Sequence, residues 1–161
     1  MNYQLMETPL GPLMVAESDR GVARIAFTEA DAPIRPGSDW RQGSLRSPAV
    51  RQLEEYFAGQ RQTFEFDLDP QGTPFQLQVW RCLMEIPYGE TWSYGQLARH
   101  LGRPNASRAV GAANGRNPLP VVVPCHRVIG ANGSLTGYAG GLRFKQGLLA
   151  LEQATLQPLL L

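Results

Sequence analysis

"TWSYGQLARHLGRPNASRAVGAANGRNPLPVVVPCHRVIG", residues 91–130, carries the reading that decides the fold. Ser93 and Gln96 have capping-box spacing, and the helix they open runs to about Leu101 and ends at Gly102. The turn "GRPN" leads into a second helix that starts near Asn105 or Ala106 and ends near Asn114-Gly115. Two short helices joined by a tight glycine-containing turn make a helix-turn-helix pattern, although many helical hairpins share it. Around Arg108 the second helix is dominated by small residues, Ala106, Ala109, Gly111, Ala112 and Ala113. So little bulk suits either close helix packing or close approach to DNA in the narrow minor groove. Val121, Val122 and Val123 read as a buried strand that Pro124 ends. Cys125 and His126 then stand where that strand gives way to a turn.

The segments on either side place this stretch in a larger plan. Thr73 and Gln76 repeat the capping-box spacing with Pro74 at the first helical position. Phe75, Val79, Cys82, Leu83 and Ile86 fall on one face of that helix, so Cys82 reads as a core residue. "GYAGG" is expected to be a loop, and a last helix covers about Leu142 to Gln153, with Leu148, Leu149 and Glu152 near its end. The first half reads as mostly β. "PLMVAES" and "GVARIAFT" flank Asp19-Arg20-Gly21 as a hairpin. "TFEFDL" alternates Phe64, Phe66 and Leu68 at strand period. Between them "SPAVRQLEEYFAG" reads as a helix capped by Ser47, with Val50, Leu53 and Phe57 as its stripe and Gly59 as its stop. Residues 29–46 read as a long loop and 69–73 as a linker. The expected fold class is α+β. A small N-terminal antiparallel sheet with a helix (residues 1–73, linker included) precedes a mostly helical domain with a helix-turn-helix (74–161).

A chain of 161 residues suffices for one ordinary core or two small lobes. No apolar run approaches the ~18 residues of a membrane span, and no basic-then-apolar leader is visible, so a cytoplasmic protein is expected. Two cysteines, Cys82 and Cys125, do not suggest a disulfide framework. The net charge of +1 is unevenly spread. Residues 1–73 hold 7 basic and 11 acidic side chains, and residues 74–161 hold 8 and 3. A basic second half suggests a polyanionic partner. Lys145 is the only lysine beside 14 arginines.

A free cysteine has a pKa of about 8.5, so a nucleophilic Cys125 needs a base or a positive field nearby. Neighbouring side chains on an extended segment point apart, so His126 meets Cys125 only if the backbone turns there or a water bridges them. A third group usually orients such a histidine. The second half offers Glu85, Glu90 and Glu152, of which Glu152 is favoured, because a carboxylate on an apolar helix wants a partner. A Cys-His-Glu set fits both a cysteine hydrolase and a one-time alkyl acceptor. Residue chemistry alone leaves that choice open.

"PVVVPCHRVIG" resembles the active-site motif of the O6-alkylguanine-DNA alkyltransferases, the methylated-DNA–protein-cysteine methyltransferases, and residues 72–152 resemble that family's C-terminal domain throughout. "TPLGPLMVA" and "LEEYFAG" are similar to the bacterial members. The resemblance implies a ribonuclease H-like first domain. It also implies a DNA repair protein that flips the damaged nucleotide out of duplex DNA and moves its O6-alkyl group to its own cysteine, once and irreversibly. By the same resemblance, Cys125 accepts the alkyl group, His126 is its base through a water, Glu152 orients and charge-balances His126, and Asn117 braces the cysteine loop. Arg108 replaces the flipped nucleotide in the stack. Ser107, Ala109 and Gly111 lie against the minor groove, and Tyr94 crowds the phosphate and contacts the guanine. Tyr138 and Ala139 wall the base pocket, and the carbonyls of Cys125 and Val128 read the guanine edge. No cofactor is implied; some members bind zinc in the first domain, but His100, His126 and both cysteines lie in the second half, so no zinc site is expected. The partner is double-stranded DNA, bound by a monomer, with cooperativity on DNA and activity on O4-alkylthymine left open.

Two positions depart from the family pattern. Ala139 stands where some members have serine, and Gly147 where many have tryptophan, which predicts a less rigid final helix. The competing readings are a non-repairing binder of the alkyltransferase-like type, a regulator built on the helix-turn-helix alone, and a cysteine hydrolase. The alkyltransferase-like proteins carry tryptophan in place of the cysteine, so Cys125 argues against the first.

Overall fold

The computed structural model describes residues 1–31, 34–135 and 141–157. Asn2–Met6 (β1), Leu13–Glu17 (β2) and Val22–Phe27 (β3) form antiparallel pairs, β1 with β2 and β2 with β3. The β2–β3 hairpin is the one its turn signal predicts. All five residues of β2 are buried, since it is central in the sheet. Arg41–Gln42 (β4) adds to β1 in parallel, which corrects the reading of 29–46 as loop alone. Two residues are too few to carry a periodic signal.

Ala49–Phe57 (α1) follows. The Ser47 hydroxyl accepts the Ala49 N–H at 3.1 Å, and Gly59, at φ 75°, ends the helix in a conformation that glycine adopts at little cost. Its buried face is Ala49, Gln52, Leu53, Tyr56 and Phe57, with Val50 only half-buried.

The "TFEFDL" segment is not a strand. Its alternation is real, with Phe64, Phe66 and Leu68 half-buried and Glu65 and Asp67 exposed, but it makes a single parallel bridge, Leu68 to Val22. In place of a neighbouring strand, the Gln52 side chain accepts the Glu65 N–H at 2.8 Å and donates to the Glu65 carbonyl at 3.3 Å. Gly21 lets this segment close on β3, since a Cβ there would lie 2.6 Å from the Asp67 carbonyl oxygen.

Pro74–Leu83 (α2) and Tyr94–His100 (α3) begin at the capping boxes Thr73/Gln76 and Ser93/Gln96, both complete. Ser107–Gly115 (α4) packs on both, and the Trp80 indole N–H donates to the Ala113 carbonyl at 2.8 Å. Leu142–Leu156 (α5) packs back across the first half, with Phe144 stacked on Phe27 at 4.3 Å. Trp92–Ser93 (β5) and Val128–Ile129 (β6) form a small parallel pair that ties the start of α3 to the chain just past Cys125.

The valine run is not a strand either. Residues 118–124 form a tight buried turn in which the Val123 N–H donates to the Leu119 carbonyl at 2.9 Å. Pro118, Pro120 and Pro124 leave too few N–H groups for a ladder. Val121 sits at φ 75°, a left-handed conformation that a β-branched residue rarely adopts. The turn is fastened to the sheet by the Ile25 N–H, which donates to the Pro118 carbonyl at 2.9 Å.

Candidate active site

Pro124 ends the buried turn, and Cys125–Arg127 form one turn of 3₁₀ helix. This puts Cys125 and His126 on a tightly curved backbone rather than on opposite faces of an extended one. Cys125 is 4% exposed. The Asn117 side chain spans the loop before it, accepting the Leu119 N–H at 2.9 Å and donating to the Val123 carbonyl at 2.8 Å. From α4, Asn114 reaches the Cys125 carbonyl at 3.5 Å. Burial pushes the Cys125 thiol up to about 11, while the Asn117 side chain and the Lys145 charge act the other way. Cys82 is also buried, on α2, and is also pushed up to about 11, by burial and by Glu85.

Lys145, on α5, is fully buried and donates to the Val128 carbonyl at 2.5 Å. The Val128 N–H in turn donates to the Cys125 carbonyl. Of the two carbonyls expected to read the guanine edge, that of Val128 accepts from Lys145, and that of Cys125 accepts from the Val128 N–H and, at 3.5 Å, from Asn114.

His126 and Glu152 are both fully buried, with His126 Nε2 2.7 Å from Glu152 Oε2. Glu152 accepts four further hydrogen bonds. Arg127 donates twice, from Nε at 2.9 Å and Nη2 at 3.0 Å, the Tyr56 hydroxyl donates at 2.6 Å, and the Gly89 N–H at 3.1 Å. Burial alone would raise the Glu152 carboxyl, but the hydrogen bonds from His126 and Arg127 prevail and hold it well below the usual carboxylate range. An ionised carboxylate only accepts, so His126 Nε2 carries the proton of that bond and Nδ1 is left as the basic nitrogen. Burial also lowers the His126 pKa, against the pull of Glu152, and keeps the imidazole neutral. Nδ1 is buried without a hydrogen-bond partner among the described residues. Arg127 forms a buried ion pair with the same carboxylate, and its Nη1 is anchored on the Ile86 carbonyl at 2.8 Å.

Cys125, His126 and Glu152 are thus buried together, and half-buried Asn117 braces the loop that leads to them. The residues expected to meet DNA lie on the helix-turn-helix. Arg108 and Ala109 are exposed, Ser107 and Gly111 are half-buried, and the Tyr94 ring covers Gly111, where a Cβ would lie 3.5 Å from it. Tyr138 and Ala139 lie outside the described residues.

Arg127, Tyr56, Asn114 and Lys145 belong to this cluster and escaped the sequence reading. Arg127, next to the Cys-His pair, and Lys145, the only lysine, both left a signal. Tyr56 left none, because its partner is 96 residues away.

The family model for the ribonuclease-like domain of 6-O-methylguanine DNA methyltransferase matches residues 1–70, and that for its DNA binding domain matches residues 74–154. A methylated-DNA–protein-cysteine methyltransferase of Methanosarcina acetivorans is 50% identical over 153 residues, 94% of this chain and 98% of the relative. One from Mycolicibacterium paratuberculosis is 48% identical over 155 residues, covering 95% and 93%. Among solved structures, Mycobacterium tuberculosis OGT in complex with DNA superposes with a TM-score of 0.88 at 45% identity, covering 96% of this chain and 94% of that one.

Proposed function

The chain belongs to the 6-O-methylguanine DNA methyltransferase family, and on that premise we propose that it repairs DNA by moving the alkyl group of O6-alkylguanine to its own Cys125. It is a DNA-binding methyltransferase whose acceptor is a cysteine of the same chain. The observation that carries the choice of Cys125 is the His126–Glu152 bond, which leaves a basic Nδ1 one residue from a buried thiol.

The step runs as follows. A water passes the Cys125 proton to His126 Nδ1. The thiolate, favoured by Asn117 and the Lys145 charge, attacks the alkyl carbon in line. A carbon–sulfur bond forms, the carbon–O6 bond breaks, and its electron pair goes to the guanine. The proton taken up by His126 returns through solvent to the guanine, so atoms and charge balance. Water does not readily cleave the thioether, so each chain acts once. A thiol raised to about 11 is almost wholly protonated near neutral pH, which makes this proton transfer necessary.

Reaching O6 in line requires that the nucleotide leave the duplex. Exposed Arg108 fills the gap in the stack. Ser107, Ala109 and Gly111 bring the α4 backbone close to the minor groove. Tyr94 contacts the extruded guanine, whose pocket Val128 lines. Residues 1–73 and 74–161 act as two domains of one monomer, in the cytoplasm. No helix among the described residues is long and apolar enough to cross a membrane.

The test is stoichiometric. Duplex DNA bearing O6-[³H-methyl]guanine, mixed with limiting protein, should transfer one labelled methyl per chain and then stop. Repeated turnover would favour a hydrolase, and binding without transfer would favour the alkyltransferase-like alternative.

A further inference from the structure

Tyr56 is fully buried on α1, in the half of the chain that carries none of the roles assigned above. Its ring sits in an aromatic cage, edge-on to Phe57 at 5.2 Å and to Tyr88 at 6.2 Å, and tilted against Phe64 at 5.6 Å. A phenylalanine would fill that cage equally well. What the hydroxyl adds is its bond to Glu152, and a buried hydroxyl without such a bond would be costly. The oxygen it meets, Oε2, is the one that accepts from His126. Burial and the Glu152 charge both raise the phenol's pKa, so it remains a donor wherever the protein is folded.

We propose that Tyr56 is a positioning residue for alkyl transfer: by sharing Glu152 Oε2 with the His126 Nε2–H, it sets how firmly the carboxylate holds that proton and therefore how basic Nδ1 is. The proposal rests on reading Cys125 as the acceptor and His126 as its base. Each donor on an anionic oxygen disperses its charge and weakens it as an acceptor for the others. Removing the Tyr56 hydroxyl leaves Glu152 a stronger acceptor, and a more strongly held imidazole gains a proton more readily. His126 would then be protonated over more of the acid range and unable to take the Cys125 proton there. The other titratable groups around the pair are Cys125 and Arg127 on the 3₁₀ turn, Lys145 on α5, and Tyr88 from the segment before β5. All of them stay in place when only Tyr56 changes. The first domain thus tunes the base of the second.

The experiment measures single-turnover transfer to Cys125 from free O6-benzylguanine across about pH 5 to 8, with the His126 ring followed by NMR over the same range. Tyr56→Phe should move both the acid limb of the rate and the His126 titration upward, by roughly half a pH unit. Phe64→Leu, which erodes the cage but keeps the hydroxyl, should lower thermal stability and leave both midpoints in place. Tyr56→3-fluorotyrosine, a stronger donor, should move them downward, and it decides alone if Tyr56→Phe does not fold. Unmoved midpoints in a folded Tyr56→Phe protein, or an equal shift in Phe64→Leu, would overturn the proposal. If the wild-type protein takes no benzyl group, the acceptor reading fails instead, and the His126 titration still decides the role of Tyr56.

Discussion

Leu10 occupies the space that a side chain at residue 147 would need: a Cβ on Gly147 would lie 2.5 Å from one Leu10 methyl and 2.9 Å from the other. The turn between β1 and β2 therefore seats a side chain in a notch of α5, the helix that carries Lys145 and Glu152. A glycine in mid-helix, expected to loosen α5, marks instead the point where the first domain grips it.

A double-mutant cycle tests this seating. Gly147→Ala should be worth about 1 kcal/mol of stability in the Leu10→Ala background, the ordinary helix-propensity gain. In the wild-type background the gain should shrink or vanish, because Leu10 must move. Equal gains in chemical denaturation would mean that the two residues do not compete for space.

Glu152→Gln should be the most damaging single change in the cluster. It leaves Arg127 buried without its ion-pair partner, which costs about 3–5 kcal/mol. The sign of its pH dependence follows from the depressed Glu152 pKa. The carboxylate's contribution is complete above the unfolded-state value of about 4.3 and is lost as pH falls towards the folded-state value. The stability gap between wild type and Glu152→Gln should therefore be widest above about pH 5 and narrow below about pH 4. A gap that widens on acidification contradicts an ionised Glu152.

Arg108→Ala separates extrusion from chemistry. It should slow repair of O6-methylguanine in duplex DNA by about tenfold or more, because unstacking a base costs a few kcal/mol. Reaction with free O6-benzylguanine, which needs no extrusion, should keep its rate. Equal losses on both substrates would remove Arg108 from the stack.

Val121 should invert the usual ranking of small residues. Alanine ordinarily outranks glycine by roughly 0.5–1 kcal/mol within a helix or strand. At φ 75° glycine pays no steric cost, so Val121→Gly should be at least as stable as Val121→Ala in urea denaturation. Both should fall below wild type, since a buried side chain is lost. A Val121→Gly protein weaker than Val121→Ala by the ordinary margin would argue against the left-handed turn.

What the sequence disclosed and what it hid follow from the range of the interactions. Both capping boxes and the helix-turn-helix are local, so spacing alone located them. Periodicity identified the exposed and half-buried faces of "TFEFDL" but not its missing partner strand, because pairing is a long-range property. The valine run was misread because hydrophobicity registers burial and not φ, and three prolines were a better guide than three valines. Glu152 was legible as an acid stranded on an apolar helix. Its full set of donors was not, because Tyr56 and Gly89 come from elements distant in the chain.

The central claim is that one thiol, Cys125, takes the alkyl group and the other does not. Both cysteines are buried and both thiols are raised to about 11; what distinguishes Cys125 is the His126–Glu152 pair next to it, with Asn117 and the Lys145 charge favouring its thiolate. Peptide mass spectrometry after incubation with duplex DNA containing O6-methylguanine compares them directly. The account predicts one added methyl on the peptide containing Cys125, none on that containing Cys82, and no methylated peptide from Cys125→Ser. A methyl on Cys82, or a Cys125→Ser protein that still clears the lesion, would contradict it.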